Sequence, residues 1–183
     1  DATDGTGRWA VPVDRPITAP LLWDSGWLIA IAEPGDVMAF RAADGHLVWR
    51  RSLGASSSHP AVPGGPAALY FALADSRLVA LALESGEPLW EQKLTGTISE
   101  PAVATDRVFV GSTDNFFYAF DDDSGRLEWK WRSGGDVIGA AADGDVVYFA
   151  SLDNIIRAVN RGNGNQRWKK PTGTRPILPP RAF

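Results

Sequence analysis

The chain has 183 residues, enough for one domain with its own core, and its 44% hydrophobic and 22% charged content is that of a globular protein. A formal charge of −4 disfavours non-specific nucleic-acid binding, and the absence of cysteine excludes a disulfide framework and any cysteine-ligated zinc or iron–sulfur centre. The longest apolar runs, 27–32 and 67–74, are far too short to span a bilayer as helices, so no transmembrane segment is expected.

In chain order, residues 8–13 (RWAVPV) read as one short strand headed by Trp9, with Gly5 four residues before it. A β-branched and aromatic run follows, GWLIAIA (26–32), then a Pro34-Gly35 turn, a second run to Arg41, a turn ending at Gly45 and a short strand carrying Trp49. The order then repeats. AALYFALA (67–74) leads through Asp75-Ser76 to Gly86 and Trp90, and DRVFVGS (106–112) through Asp114-Asn115 to Gly125 and Trp129. DVVYFAS (145–151) leads through Asp153-Asn154 to Gly164 and Trp168, and residues 175–183 (RPILPPRAF) read as one last strand.

The five tryptophans are 40, 41, 39 and 39 residues apart. An alanine stands ten residues before four of them (Ala39, Ala80, Ala119, Ala158). A proline stands eleven residues after four of the five (Pro20, Pro60, Pro101, Pro179), with Ala140 in the remaining copy. Four short antiparallel strands, A to D, in each period of about 40 residues are the pattern of a β-propeller blade. The expected fold is therefore all-β: four complete blades at about 15–53, 55–95, 96–133 and 135–171, with a lone strand D at 8–13 and a lone strand A at 175–183. Such a partial propeller would be completed by a protein partner or by self-association, since open blades expose edges and apolar faces.

The recurring residues have physical reasons. Glycine before strand D supplies the positive φ of a tight hairpin turn. A small alanine on strand C leaves room for a bulky neighbour, and the tryptophan is large and flat enough to fill space between blades.

The eleven-residue units AFRAADGHLVW (39–49), ALALESGEPLW (80–90), AFDDDSGRLEW (119–129) and AVNRGNGNQRW (158–168) resemble the tryptophan-docking motif of PQQ-like (quinoprotein-type) propellers. The resemblance covers nearly the whole chain and speaks to fold rather than function. It implies that Trp49, Trp90, Trp129 and Trp168 each stack between the glycine peptide of their own motif (Gly45, Gly86, Gly125, Gly164) and the alanine of an adjacent blade (Ala39, Ala80, Ala119, Ala158). Asp121 and Asn160 match the motif's acidic or amide position, and Asp121 is expected to accept backbone N–H bonds across its turn. Arg41 and Ala82 depart from the motif, so their turns are expected to be held differently.

The same resemblance raises a PQQ-dependent dehydrogenase, which would carry a calcium ion, an acidic base and commonly a disulfide of adjacent cysteines on the propeller axis. The chain has no cysteine and no matching Glu/Asn/Asp set, so no cofactor, metal site or catalytic residue is expected. His46 follows a turn glycine. His59 follows Ser56, Ser57 and Ser58, but adjacent residues of an extended strand point to opposite faces and no oxyanion motif accompanies them. Asp143-Gly144 is a hairpin turn. Asp121, Asp122 and Asp123 read as a motif turn rather than a cation loop.

Two candidate partner surfaces remain. After Asp153 there is no acidic residue, while Arg157, Arg161, Lys169 and Lys170, with Arg167, Arg175 and Arg181, make this end basic and suited to an acidic partner, to anionic lipid headgroups or to a neighbouring blade. Trp23 and Trp27 flank the turn Asp24-Ser25-Gly26 and form an aromatic pair at a loop tip. The function implied by resemblance is a non-catalytic interaction scaffold of the BamB-like branch, of the outer-membrane protein assembly type and periplasmic or extracytoplasmic. The alternatives are a ligand-sensing propeller domain of a larger receptor or kinase, and a fragment of a PQQ-dependent dehydrogenase.

Overall fold

The computed structural model describes residues 3, 6–65, 67–176, 178 and 180. Over these residues the alternating apolar runs and glycine turns give sixteen strands and no helix. The first blade holds β1 (Leu22–Asp24), β2 (Trp27–Ala32), β3 (Asp36–Arg41) and β4 (Leu47–Ser52). The second holds β5 (Val62–Gly64), β6 (Ala68–Ala72), β7 (Arg77–Ala82) and β8 (Pro88–Lys93). The third holds β9 (Ala102–Ala104), β10 (Arg107–Gly111), β11 (Phe116–Asp121) and β12 (Leu127–Arg132). The fourth holds β13 (Val137–Asp143), β14 (Val146–Ser151), β15 (Ile155–Asn160) and β16 (Gln166–Pro171). Each blade is a separate antiparallel sheet whose strands pair in sequence order, and together they form a partial β-propeller of four blades. Successive first strands approach one another, β5 with β9 and β9 with β13, so strand A lies toward the axis and strand D at the rim.

The proline of strand A has a visible effect. In the first and third blades an isolated bridge (Ile17 with Ala32, Ile98 with Ser112) precedes the proline, and the named strand begins only after it. Proline has no N–H to give to a ladder, so it divides the strand. The fourth blade has Ala140 instead, and there strand A runs unbroken over the seven residues of β13, with only a register shift near Val137.

Three apolar layers join the four sheets. The middle strands alternate: Leu69, Phe71, Val79 and Leu81 face the first blade, and Tyr70, Leu78 and Ala80 face the third. The third layer, between the last two blades, is aromatic, with Phe117 stacked on Phe149 at a centroid distance of 4.4 Å. One row of register recurs in every blade. Strand D tryptophan lies opposite strand C alanine, which lies opposite a large strand B residue: Trp49–Ala39–Ile29, Trp90–Ala80–Tyr70, Trp129–Ala119–Phe109 and Trp168–Ala158–Tyr148. The alanine leaves space for the indole to lean across strand C toward strand B, where the ring centroids of Tyr70 and Trp90 are 5.6 Å apart.

Of the two expected end strands, residues 8–13 form no strand, although Trp9 is docked against the first blade. The expected strand A at 175–183 lies for the most part outside the described residues.

Candidate partner-binding surfaces

Every motif turn is built alike. The glycine N–H donates to the carbonyl four residues back, and a positive φ of 67–72° at Gly45, Gly86, Gly125 and Gly164 closes the hairpin. Asp121 braces its turn as expected, its Oδ1 accepting the Ser124 N–H at 2.9 Å, and this hydrogen bonding from Ser124 holds its carboxyl below the usual range. The two departing turns find other acceptors: Asp44 Oδ1 takes the His46 N–H in the first, and Ser85 Oγ takes the Glu87 N–H in the second.

The turn is also a socket. Trp49 Nε1 donates to Leu83 O at 2.7 Å, and its ring lies over Gly86, where a Cβ would come within 2.6 Å of Trp49 Cε3. Trp90 docks in the same way on Asp122 O and Gly125, and Trp129 on Arg161 O and Gly164. The direction of docking therefore corrects the expectation from the motif. Each tryptophan packs on the alanine of its own blade and on the glycine of the next, because alanine shares its register row while the next blade's turn overhangs the rim.

The four-blade stretch leaves two unequal flanks. On the first blade, Trp9 fills the socket of Gly45, donating from Nε1 to Ala42 O at 3.0 Å, and Val13 packs with Leu28, Ala30, Met38 and Phe40. On the fourth, Trp168 has no such turn within the described residues and remains 45% exposed, whereas Trp49 and Trp90 are 9% and 8% exposed.

The predicted partner residues separate on folding. Trp23 is 69% exposed on the flank of the first blade, opposite Leu28 in register, whereas Trp27 packs into the layer between the first and second blades. They do not form a pair, because β1 and β2 place them on opposite faces of the sheet. Lys169 and Lys170 lie on β16, all of whose residues are exposed. Arg161 is tied across the blade boundary to Asp106, with Asp145 3.7 Å away.

Arg157 leaves the basic surface altogether. It is 5% exposed, its Nη2 lies 2.5 Å from Asp153 Oδ2, its Nη1 donates to Ser151 Oγ at 2.7 Å, and its guanidinium sits 5.0 Å above the Trp131 ring. Burial pushes the Asp153 carboxyl up, but the Arg157 and Ser151 hydrogen bonds, the Arg157 charge and the Gly134 N–H outweigh it and hold the carboxyl at about 2. Asp114 does the corresponding work one blade earlier, accepting from Thr95 and Tyr118 hydroxyls at 2.6 Å each. These carboxylates in the B–C turns pin the D–A linkers, an architectural role that sequence reading did not assign to them.

The chemistry of a quinone site is not matched by the residues present. The adjacent cysteines are lacking, and among the described residues no three His, Asp or Glu side chains come together as a metal would need. The Ser57 hydroxyl, considered beside His59, is buried and donates to backbone carbonyls.

The family model described as outer membrane protein assembly factor BamB matches residues 1–78 and 74–181 of the chain. No curated protein sequence matches significantly. Among solved structures, BamB from Moraxella catarrhalis superposes with a TM-score of 0.78 at 20% identity, over 89% of this chain and 55% of that one. Quinohemoprotein alcohol dehydrogenase ADHIIG from Pseudomonas putida HK5 superposes with a TM-score of 0.70 at 16% identity, over 88% of this chain and 35% of that one. The computationally designed Ika4 protein superposes with a TM-score of 0.76 at 15% identity, over 86% of this chain and 99% of that one. The chain thus spans about half the length of the BamB structure and a third of the dehydrogenase. At these identities the likenesses describe the fold alone.

Proposed function

The chain belongs to the PQQ-like propeller family of the outer membrane protein assembly factor BamB, and from that premise we propose that it is a non-catalytic interaction scaffold acting outside the cytoplasm in outer-membrane protein assembly. The observation that carries the reading is the family match, which extends through both halves of the chain rather than over a single repeat. The side chains support it. Asp114, Asp121 and Asp153 are committed to turns and linkers, and the Ser57 hydroxyl to backbone carbonyls, which leaves the rim and flanks as the surfaces able to act.

In this reading partner recognition combines charge at the rim with an apolar anchor on a flank. Lys169 and Lys170, with Arg167 beside them, present a basic strand to an acidic surface, and Trp23 offers the aromatic anchor. The test is binding of the purified chain to purified components of the outer-membrane barrel assembly machinery by biolayer interferometry. Binding weakened about tenfold or more by Trp23→Ala is expected for an interface anchor. Absence of binding, together with a saturable absorbance change on titration with PQQ and calcium, would replace the scaffold by the dehydrogenase reading.

A further inference from the structure

The described residues contain four sockets, at Gly45, Gly86, Gly125 and Gly164, and five tryptophans in docking register, at 9, 49, 90, 129 and 168. Three pairings join consecutive blades. That leaves Trp9 and Trp168 with one socket, Gly45 with Ala42 O, between them, and Trp9 holds it. Trp9 is the least supported of the four docked rings. Trp49, Trp90 and Trp129 stand on ladder-bonded strands with an alanine opposite, whereas residues 6–13 form no strand and Val11 is 39% exposed. The flank carrying Trp168 is fully formed: the indole lies over Ala158 with Tyr148 at 5.9 Å, the same row that docks in the other three blades.

We propose that Trp168 of one copy enters the Gly45 socket of a second copy in exchange for Trp9, so that the chain associates head to tail and residues 6–13 act as a releasable cover on the receiving flank. The occupant is a second copy because the contact continues an interface this chain already makes three times, with the same residue row on one side and the same turn on the other. Charge favours the same pairing. No acidic residue follows Asp153, while the receiving flank carries Asp14, with 71% of its side chain exposed, and Asp44. A head-to-tail contact of this kind closes into a ring where the rotation allows, and otherwise extends. The inference rests on the propeller architecture and is independent of the assembly role.

Sedimentation velocity of the full chain over a concentration series tests it. Trp9→Ala opens the socket and should tighten self-association about tenfold or more, since affinity scales with the fraction of open sockets. Trp168→Ala, at an exposed position that leaves the fold intact, should abolish association in both backgrounds. Unchanged or weaker association of Trp9→Ala, or persistent association of Trp168→Ala, would overturn the proposal.

The cysteine-free background gives a second readout that does not depend on either tryptophan variant. Within the chain, Arg51 of β4 meets Glu87 of the next turn at 2.6 Å, and the equivalent pair between copies is Lys170 and His46. Mixed Lys170→Cys and His46→Cys proteins should be joined by a short bis-maleimide into a heterodimer, more so with Trp9→Ala. Failure of that link would also count against the contact. Loss of self-association with partner binding intact would sink this inference alone, and the reverse result would sink only the scaffold role.

Discussion

Gly86 and Asp153 show how much rests on single residues. Backbone at Gly86 has φ +68°, and a Cβ there would lie 2.6 Å from Trp49 Cε3, so Gly86→Ala meets both a backbone and a packing penalty. It should cost about 2–4 kcal/mol in a urea melt, with a change in indole fluorescence as Trp49 is pushed out. Asp153 has a carboxyl held at about 2, below its ordinary value of 3.8. Its contribution to stability is therefore present above pH 4 and is lost as pH falls from 4 toward 2. Asp153→Asn leaves the Arg157 charge buried without its partner and should cost about 3 kcal/mol at neutral pH. The difference from wild type should close below pH 4 in melts across that range, and a constant difference would show that the pair contributes nothing electrostatic. The glycine was legible in the sequence because its role is local. The burial of Arg157 was not, since a basic residue in a basic stretch shows its partner only when β14 and β15 bring Ser151 and Asp153 beside it.

At the scale of the element, the contrast lies between strands of identical motif. β4, β8 and β12 each send their tryptophan into the turn of a following blade, whereas β16 lies open along all six residues. Amide exchange should be faster in β16 than in β8 or β12, because fewer packed groups must open for it to lose its ladder to β15. Equal protection in dilute solution would mean that β16 is covered. The periods of 39 to 41 residues made the strand order readable in advance, and the strand A proline explained where that strand breaks. Register set what the motif alone left open: Trp129 stands across from Ala119 of its own sheet and reaches Gly164 of the next.

For the whole molecule the questions concern rim and flanks. Reversal of Lys169 and Lys170 to Glu should slow association with an acidic partner by several-fold at low salt, with the effect shrinking as the Debye length falls from about 14 Å at 50 mM to about 7 Å at 200 mM salt. Salt-independent rates in the wild type would remove the rim from the interface. Arg161 is left out of that variant because its ion pair with Asp106 joins the third and fourth blades.

The repeat by itself determined the all-β class, the blade count within this stretch, the glycine turns and the identity of the docking tryptophans, because each depends on side-chain size and backbone freedom at fixed local spacing. Only the tertiary structure decided which blade each tryptophan serves, that Trp23 and Trp27 part to opposite faces, that Arg157 is buried, and that Trp9 and Trp168 contend for one socket. Those facts depend on which surfaces meet when four sheets pack around an axis. Packing joins residues such as Trp129 and Gly164 that lie a whole repeat apart, a relation no local pattern encodes.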